Sequence, residues 1–174
     1  CCRRQRQMCI RDSLKGEQTL EQPRNVLEES ARLVRGEISD LASADAELFD
    51  AVIVPGGFGA AKNLCTYAVD GENMKINQAF ETFIRSAISL KIPIGLVCIA
   101  PVMSGLLFGK GVSCTIGNDE QTADVIRRTG AIHSDRNVDD ICVDETYKLV
   151  TTPAYMLAST LTDASKGITK LVEN

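Results

Sequence analysis

The chain has 174 residues, of which 44% are hydrophobic and 24% are charged, and its formal net charge is −4 at pH 7. This size and balance predict a globular domain of the α/β kind, and no apolar stretch reaches the length of a membrane span. Because the charge balance is acidic, we expect neither nucleic acid nor a membrane surface as a partner.

The first 13 residues differ in composition from the rest of the chain. Residues 1–13 contain three of the seven cysteines and four of the 19 basic residues, and beyond them 15 basic and 22 acidic residues give a net charge of −7. This segment resembles read-through of adapter sequence, and a basic targeting arm is the alternative. We expect residues 1–13 to be foreign, and residues 14–174 to form a single, incomplete α/β domain.

The other four cysteines show no Cys-x-x-Cys spacing: Cys65, Cys98, Cys114 and Cys142. Their scatter fits neither a zinc site nor a disulfide framework, so we expect a reducing, cytoplasmic environment. His133 is the single histidine. A transition-metal site built by the protein is therefore not expected.

Hydrophobic periodicity and turn residues predict the elements in chain order. Helices are predicted at 23–35, 73–90, 100–108, 120–129 and 154–172, the last interrupted near Gly167. Strands are predicted at 50–55, 93–97, 112–116, 131–134, 138–143 and 148–152. Strands that alternate with helices favour a mostly parallel sheet covered on both faces, with ligands bound beyond the carboxyl ends of its strands.

The first predicted strand leads into a glycine-rich segment, residues 56–63, which we predict as a loop. Its three glycines, Gly56, Gly57 and Gly59, present bare backbone, which suits the close approach of a ligand or of another loop. An ordinary strand-to-helix connection is the alternative. A functional role for this segment is indicated only if it lies close in space to the turns that follow the other strands.

Cys98 lies where the predicted strand at 93–97 turns directly into a helix, with Pro101 in the first helical turn. Such an elbow raises a side chain over the carboxyl edge of the sheet, where helix N–H groups activate a thiol and stabilise an oxyanion. A buried, inert cysteine is the alternative. We expect Cys98 to have a positive φ, with its sulfur towards the loop at Gly56.

Covalent thiol chemistry also needs an oxyanion hole and a base. The N–H groups of Ile99 and of residues 56–58 are the candidate donors. His133 lies on a predicted strand, where a lone histidine is more often structural than catalytic. The remaining carboxylates surround a predicted hairpin and are expected to be solvated turn residues: Asp139, Asp140, Asp144 and Glu145.

Three motifs in this order along the chain carry a resemblance to a known family: Val-Pro-Gly-Gly-Phe-Gly-Ala-Ala-Lys-Asn-Leu at 54–64, Gly-Leu-Val-Cys-Ile-Ala-Pro at 95–101, and Val-Thr-Thr-Pro-Ala-Tyr-Met at 150–156. From about Leu14 onwards the chain resembles the ElbB-type branch of the PfpI/class I glutamine amidotransferase-like superfamily. The resemblance implies a flavodoxin-like three-layer sandwich. It implies Cys98 as elbow nucleophile, and it places four residues at the oxyanion and substrate site: Gly56, Gly57, Phe58 and Ile99.

The resemblance also implies an activity. ElbB-type proteins are described as cofactor-free glyoxalases, of the carbon–oxygen lyase class, which convert glyoxal to glycolate. That activity is connected with protein deglycation, and the branch has a historical link to isoprenoid biosynthesis. We therefore expect a small aldehyde as substrate and no cofactor, and we leave a homodimer open.

Two departures from the superfamily pattern qualify this expectation. Glutamine hydrolysis is not expected, because Ile99 follows the cysteine and no His-x-Glu pair follows downstream. The superfamily also places a glutamate beside the thiol, from a helix after its first strand, and residues 1–13 stand where that strand–helix unit belongs. We expect activity in an intact parent and impaired activity here. A thiol redox sensor, a quality-control protein and an inactive fragment are the alternatives.

Overall fold

The computed structural model describes residues 25–174, apart from the side chain of Glu29. The predicted foreign segment, residues 1–13, and the first two residues of the helix predicted at 23–35 lie outside the described residues. The predicted absence of a first strand–helix unit concerns the same part of the chain and stays a prediction.

The described residues form a four-stranded sheet with the strand order β1-β2-β6-β5, and β3 pairs with β4 in a separate ladder. Neighbouring strands β1, β2 and β6 are parallel, whereas β5 and β6 form an antiparallel hairpin. The strands are β1 Val52–Val54, β2 Ile94–Val97, β3 Ser113–Cys114, β4 Ile132–His133, β5 Cys142–Asp144 and β6 Leu149–Thr152. The predicted α/β fold with a mostly parallel sheet is confirmed.

The described residues also contain seven α-helical segments: α1 Val26–Leu33, α2 Gly57–Gly59, α3 Tyr67–Asp70, α4 Gln78–Ser89, α5 Ser104–Phe108, α6 Glu120–Arg128 and α7 Leu161–Glu173. Polar side chains cap several of them; Asn77, for example, accepts hydrogen bonds from the first turn of α4 at 3.1 and 3.4 Å. None of the helices within residues 25–174 combines the length and the apolar composition needed to cross a membrane.

Helices cover both faces of the sheet, which gives the three layers expected from the sequence. On one face, alternate strand residues such as Leu96 and Leu149 join the main core with Ile84 of α4. On the other face, Val97 packs against Leu171 of α7. Strand residues alternate between the two faces, so a single sheet separates two apolar layers.

The C-terminal helix differs from the prediction. Ala154–Met156 forms a separate 3₁₀ turn, and α7 begins at Leu161 and continues through Gly167 without interruption. A Cβ at Gly167 would lie 2.5 Å from the Val138 carbonyl oxygen and 2.6 Å from Thr152 Oγ1. Glycine therefore allows α7 to approach the sheet closely, and it does not break the helix.

The glycine-rich segment also differs from the loop predicted at 56–63. The chain becomes helical at Gly57, passes through α2, and continues as a π-helical turn over Ala60–Leu64. The Cys65 N–H closes this turn by donating to the Ala60 carbonyl at 3.1 Å. Helical turns of this type are rare and occur frequently at functional sites.

Candidate functional site

Cys98 lies immediately after β2 and has a φ of +63°. The strand ends at Val97, and a 3₁₀ turn begins at Ala100 with Pro101 in its first turn, so only two residues separate strand from helix. The predicted positive φ at Cys98 is confirmed. A left-handed conformation costs about 1–3 kcal/mol at a residue with a side chain, and such strain concentrates at functional sites.

The elbow is attached to the neighbouring strand end. The Cys98 N–H donates to the Thr152 carbonyl at 3.0 Å, and the Cys98 side chain packs beside Val97 and Ala154. Ala154 is fully buried and has a φ of +43°, so the turn that follows β6 also contains a left-handed residue that is not glycine. The residues of this turn belong to the third sequence motif, at 150–156. That motif did not predict a left-handed backbone conformation at an alanine.

Gly56 brings the end of β1 against the same elbow. A Cβ at Gly56 would lie 2.4 Å from the Val97 carbonyl oxygen, 3.1 Å from Cys98 Cβ and 3.3 Å from the Ile99 nitrogen. With a φ of +78°, this position accepts only glycine without strain and without a clash. The structure thus brings together the carboxyl ends of β1, β2 and β6, which is where open α/β sheets bind ligands.

An amide donor directly follows the thiol in the chain. Within residues 25–174 the Ile99 N–H donates to no protein acceptor, and Gly57 opens the helical segment that follows Gly56. Phe58 in that segment is 74% exposed, and the Lys62 ammonium lies 5.2 Å from the centre of its ring. A free amide next to a thiol is the arrangement that an oxyanion hole requires.

Cys98 differs from the other cysteines of the described region in solvent access. It is half-buried, whereas Cys65, Cys114 and Cys142 are buried. Burial raises the pKa of all three buried thiols, that of Cys114 to about 12. These three side chains therefore remain protonated at neutral pH, and the thiolate is the reactive form of cysteine.

The histidine has a structural contact away from the elbow. His133 lies on β4, outside the sheet that contains β2, and its Nε2 accepts a hydrogen bond from the Ile116 N–H at 3.3 Å. Its side chain is fully buried, and this burial lowers the pKa of the imidazole. The Nε2 lone pair, which a histidine base would use to accept a proton, is thus already used by the hydrogen bond from Ile116.

The carboxylates of the β5–β6 hairpin divide into two kinds. Asp140 is exposed to solvent, as expected, and lies 3.4 Å from the Lys170 ammonium. The expectation of a solvated turn residue is wrong for Asp144, which is 9% exposed. Its carboxylate accepts backbone N–H groups from Ser113 at 2.8 Å and from two residues of the hairpin turn, because the separate β3 strand covers this end of the hairpin.

No cluster of three or more residues that could ligate a metal occurs among the described residues. The site defined by Cys98, Gly56 and Ile99 is thus a thiol elbow with backbone donors. Together with the fold, it defines the class of the protein: an amidotransferase-like α/β domain with a cysteine at the strand–helix turn.

Comparison with known proteins agrees with that class. No family model matches the chain. A crystal structure described as an isoprenoid biosynthesis protein with an amidotransferase-like domain, from Ehrlichia chaffeensis, superposes with a TM-score of 0.84 at 30% identity, over 99% of this chain and 80% of its own. The chain belongs to this amidotransferase-like family.

Two curated mitochondrial proteins are also similar. The ES1 protein homolog of Rattus norvegicus is 43% identical over 96% of this chain. The glutamine amidotransferase-like class 1 domain-containing protein 3 of Homo sapiens is 42% identical over 95% of this chain. The chain spans 66% and 65% of the length of these two relatives, slightly less than two thirds.

Proposed function

We propose that the chain derives from a cofactor-free glyoxalase that converts glyoxal to glycolate with Cys98 as nucleophile. The observation that supports this proposal best is the left-handed Cys98, half-buried at the point where three parallel strands end. The amidotransferase-like relatives supply the class of site, and the specific reaction is our own proposal.

The reaction begins with attack of the Cys98 thiolate on one aldehyde carbon of glyoxal. A carbon–sulfur bond forms, the carbonyl π bond breaks, and the oxygen takes a proton to give a hemithioacetal. The Ile99 N–H has no acceptor among the described residues, so it can bind this oxygen as negative charge develops on it. The Gly57 N–H at the start of α2 is the second donor in this proposal.

An internal transfer of hydrogen completes the redox change. A base removes the proton from the carbon bound to sulfur, giving an enediol, and returns a proton to the neighbouring carbon. The first carbon is thereby oxidised to a thioester and the second is reduced to an alcohol, so no external oxidant or reductant is needed. Water then hydrolyses the thioester to glycolate and the free thiol. The glutamate that the resemblance implies for this step stays a prediction.

The elbow is closely packed on the side of β1. Gly56 leaves no room for even a Cβ against the Val97 carbonyl, so the end of β1 lies directly against the turn that holds Cys98. A small, uncharged aldehyde is the substrate class that we propose for a thiol in this turn. We keep as predictions that the partner is a small molecule and that neither nucleic acid nor membrane is involved, and we leave a homodimer open.

The names of the relatives bear on the biological setting. The bacterial relative is described as an isoprenoid biosynthesis protein, and the vertebrate relatives are named as mitochondrial. A connection of this chain with isoprenoid biosynthesis is part of our proposal. The cytoplasmic location expected from the cysteine usage stays a prediction, and the mitochondrial names of the relatives favour a different compartment for those proteins.

Conversion of [¹³C]glyoxal to glycolate, followed by NMR, tests the proposal. We expect the 174-residue chain to form glycolate, and a longer chain with the family's first strand–helix unit ahead of Leu14 to form it faster. Cys98→Ala should abolish glycolate formation in both chains. Cys142→Ala is the matched control, because it removes a buried thiol distant in sequence from the elbow, and it should retain the activity.

Equal glycolate formation by wild type and Cys98→Ala would remove Cys98 from the mechanism. Loss of activity in Cys142→Ala to the same extent, with both variants folded by circular dichroism, would also contradict the proposal. In that case the loss of activity would not be specific to the elbow thiol.

A thiol redox sensor is the second candidate function, because Cys98 is the one half-buried thiol among the four described cysteines. A half-buried thiol without an efficient base oxidises through sulfenic acid. Selective oxidation of Cys98 by mild peroxide, read by mass spectrometry, together with no glycolate in either chain would favour the sensor. Equal oxidation of Cys65, Cys114 and Cys142 would contradict it.

A further inference from the structure

A second feature of the carboxyl edge involves the single histidine. The His133 side chain is fully buried, and its Nε2 accepts the Ile116 N–H at 3.3 Å. The other ring nitrogen, Nδ1, is buried and has no hydrogen-bond partner within residues 25–174, and Asp135 Oδ1 lies 3.4 Å away outside hydrogen-bonding geometry. A nitrogen that accepts a hydrogen bond bears no hydrogen, so the ring is neutral with its proton on Nδ1.

The loop that this bond restrains, residues 115–119, lies against β6 and the turn that follows it. The Thr115 N–H donates to Thr151 Oγ1 of β6 at 2.9 Å. At Gly117, with a φ of +103°, a Cβ would lie 2.8 Å from Leu157, which closes the turn begun by Ala154. The loop therefore packs on the strand end beside the Cys98 elbow.

We propose that His133 is an acid-sensitive latch that holds the loop at residues 115–119 against the turn at residues 153–157. When Nε2 takes up one proton from solvent, its lone pair is replaced by an N–H that faces the Ile116 N–H. The hydrogen bond breaks, and two donors then oppose each other in a buried space. Release of the loop exposes the imidazolium to water and relieves the conflict.

Charged groups around His133 act in both directions. Asp135 and Glu120 favour the imidazolium, whereas Arg127 of α6 opposes it. Cys114, which pairs with His133 across the β3–β4 ladder, is a buried and protonated thiol and adds no charge. Desolvation is the largest effect and lowers the pKa of His133, so the ring stays neutral and the latch stays closed at neutral pH.

Because the chain contains one histidine, the imidazole titration is unambiguous by NMR. We would titrate the isotopically labelled 174-residue chain from about pH 8 to about pH 5, across the range in which histidine titrates. The signals followed are His133 Cε1–H, the Ile116 amide and the Leu157 methyl groups. We expect the three signals to change with one midpoint. We also expect the amide exchange rate at Ile116 to rise at least about tenfold relative to the intrinsic, pH-dependent exchange rate of an unprotected amide. A tenfold change corresponds to about 1.4 kcal/mol in the free energy of local opening.

Two variants sharpen this experiment. In His133→Gln the side-chain carbonyl can accept the Ile116 N–H but does not titrate, so the step at Ile116 should disappear. In Asp135→Asn the nearest carboxylate charge is lost, so the midpoint should move to lower pH. If His133→Gln does not fold, the agreement of the three wild-type midpoints still decides the question.

Titration of His133 without any change at Ile116 or Leu157 would overturn the latch, as would the same step in His133→Gln. None of these measurements involves glyoxal or Cys98. The latch and the proposed enzymatic function can therefore fail independently.

Discussion

At the scale of single residues, a comparison of two adjacent glycines distinguishes the cost of backbone strain from the cost of a steric clash. Gly56 and Gly57 have nearly the same φ, +78° and +79°. A Cβ at Gly56 would meet the Val97 carbonyl at 2.4 Å, whereas a Cβ at Gly57 would meet no atom of the described part of the chain within 4 Å. The same substitution at the two positions therefore differs only in what the new methyl group contacts.

We predict that Gly56→Ala lowers the free energy of unfolding by more than Gly57→Ala does. At Gly57 the loss should be about 1–3 kcal/mol, the cost of a left-handed residue with a side chain. At Gly56 the displacement of the elbow should add to that loss and also slow the reaction of Cys98 with thiol reagents. Urea unfolding and alkylation rates measure both effects, and equal losses in the two variants would contradict the close contact at Gly56.

The sequence predicted the candidate site in part. An abrupt end of an apolar strand at Cys98, with no glycine at the turn, sufficed to predict its positive φ. The equivalent strain at Ala154 was not predicted, because nothing local distinguishes an alanine whose conformation is imposed by burial between β6 and α7. Likewise, the sequence predicted Asp144 as a solvated turn residue. Its burial depends on β3, whose Ser113 contacts it across 31 positions of the chain.

At the scale of elements, β1 forms one edge of the four-stranded sheet that residues 25–174 build. Ile53 in this strand is 51% exposed, on the face where α7 covers the central strands. A groove on this face is lined by Ile53, Val150 and Val172 among others. Edge strands with exposed apolar side chains invite pairing with other chains.

We predict that Ile53→Lys reduces light scattering and binding of a hydrophobic dye by at least about twofold, because a charged edge strand resists association. Val69→Lys is the matched control. Val69 is 71% exposed but lies on α3, away from the sheet. Equal reductions in the two variants would show that general surface hydrophobicity, and not the β1 edge, drives association.

Element prediction succeeded where periodicity and caps coincide. The helix predicted at 120–129 is observed as Glu120–Arg128, with Asp119 as its cap and Gly130 after its end. The strand predicted at 138–143 begins only at Cys142, since the preceding residues form a turn that approaches Gly167 of α7. Tertiary packing sets such strand boundaries, and the local sequence pattern carries no information about that packing.

At the scale of the whole molecule, two charge effects determine the response of stability to acid. Burial lowers the pKa of His133 below its ordinary value of 6.5. The unfolded chain therefore binds a proton, below about pH 6.5, that the folded chain does not bind, so stability falls as pH falls. The exposed Glu120, whose pKa is lowered by its hydrogen bond with Arg127, affects only more acidic conditions, below its ordinary value of 4.5.

We predict that the free energy of unfolding of the wild type is constant between about pH 7.5 and about pH 8, below the range in which unfolded thiols ionise, and declines from about pH 6.5 downwards. The difference between wild type and His133→Gln should therefore shrink steadily over this interval, because the variant lacks the titrating group. Urea unfolding at a series of pH values measures this difference. A difference that does not depend on pH would contradict the shift assigned to His133.

The proposed function depends above all on Cys98 acting as a nucleophile adapted to small aldehydes. Its most direct test is mass spectrometry of the rate at which a limiting alkylating reagent labels each cysteine, with and without glyoxal. We predict that Cys98 is labelled at least about tenfold faster than Cys65, Cys114 and Cys142, whose burial raises their pKa values, and that glyoxal slows labelling of Cys98 alone. Equal labelling of the four thiols, or labelling of Cys98 that glyoxal leaves unchanged, would contradict it.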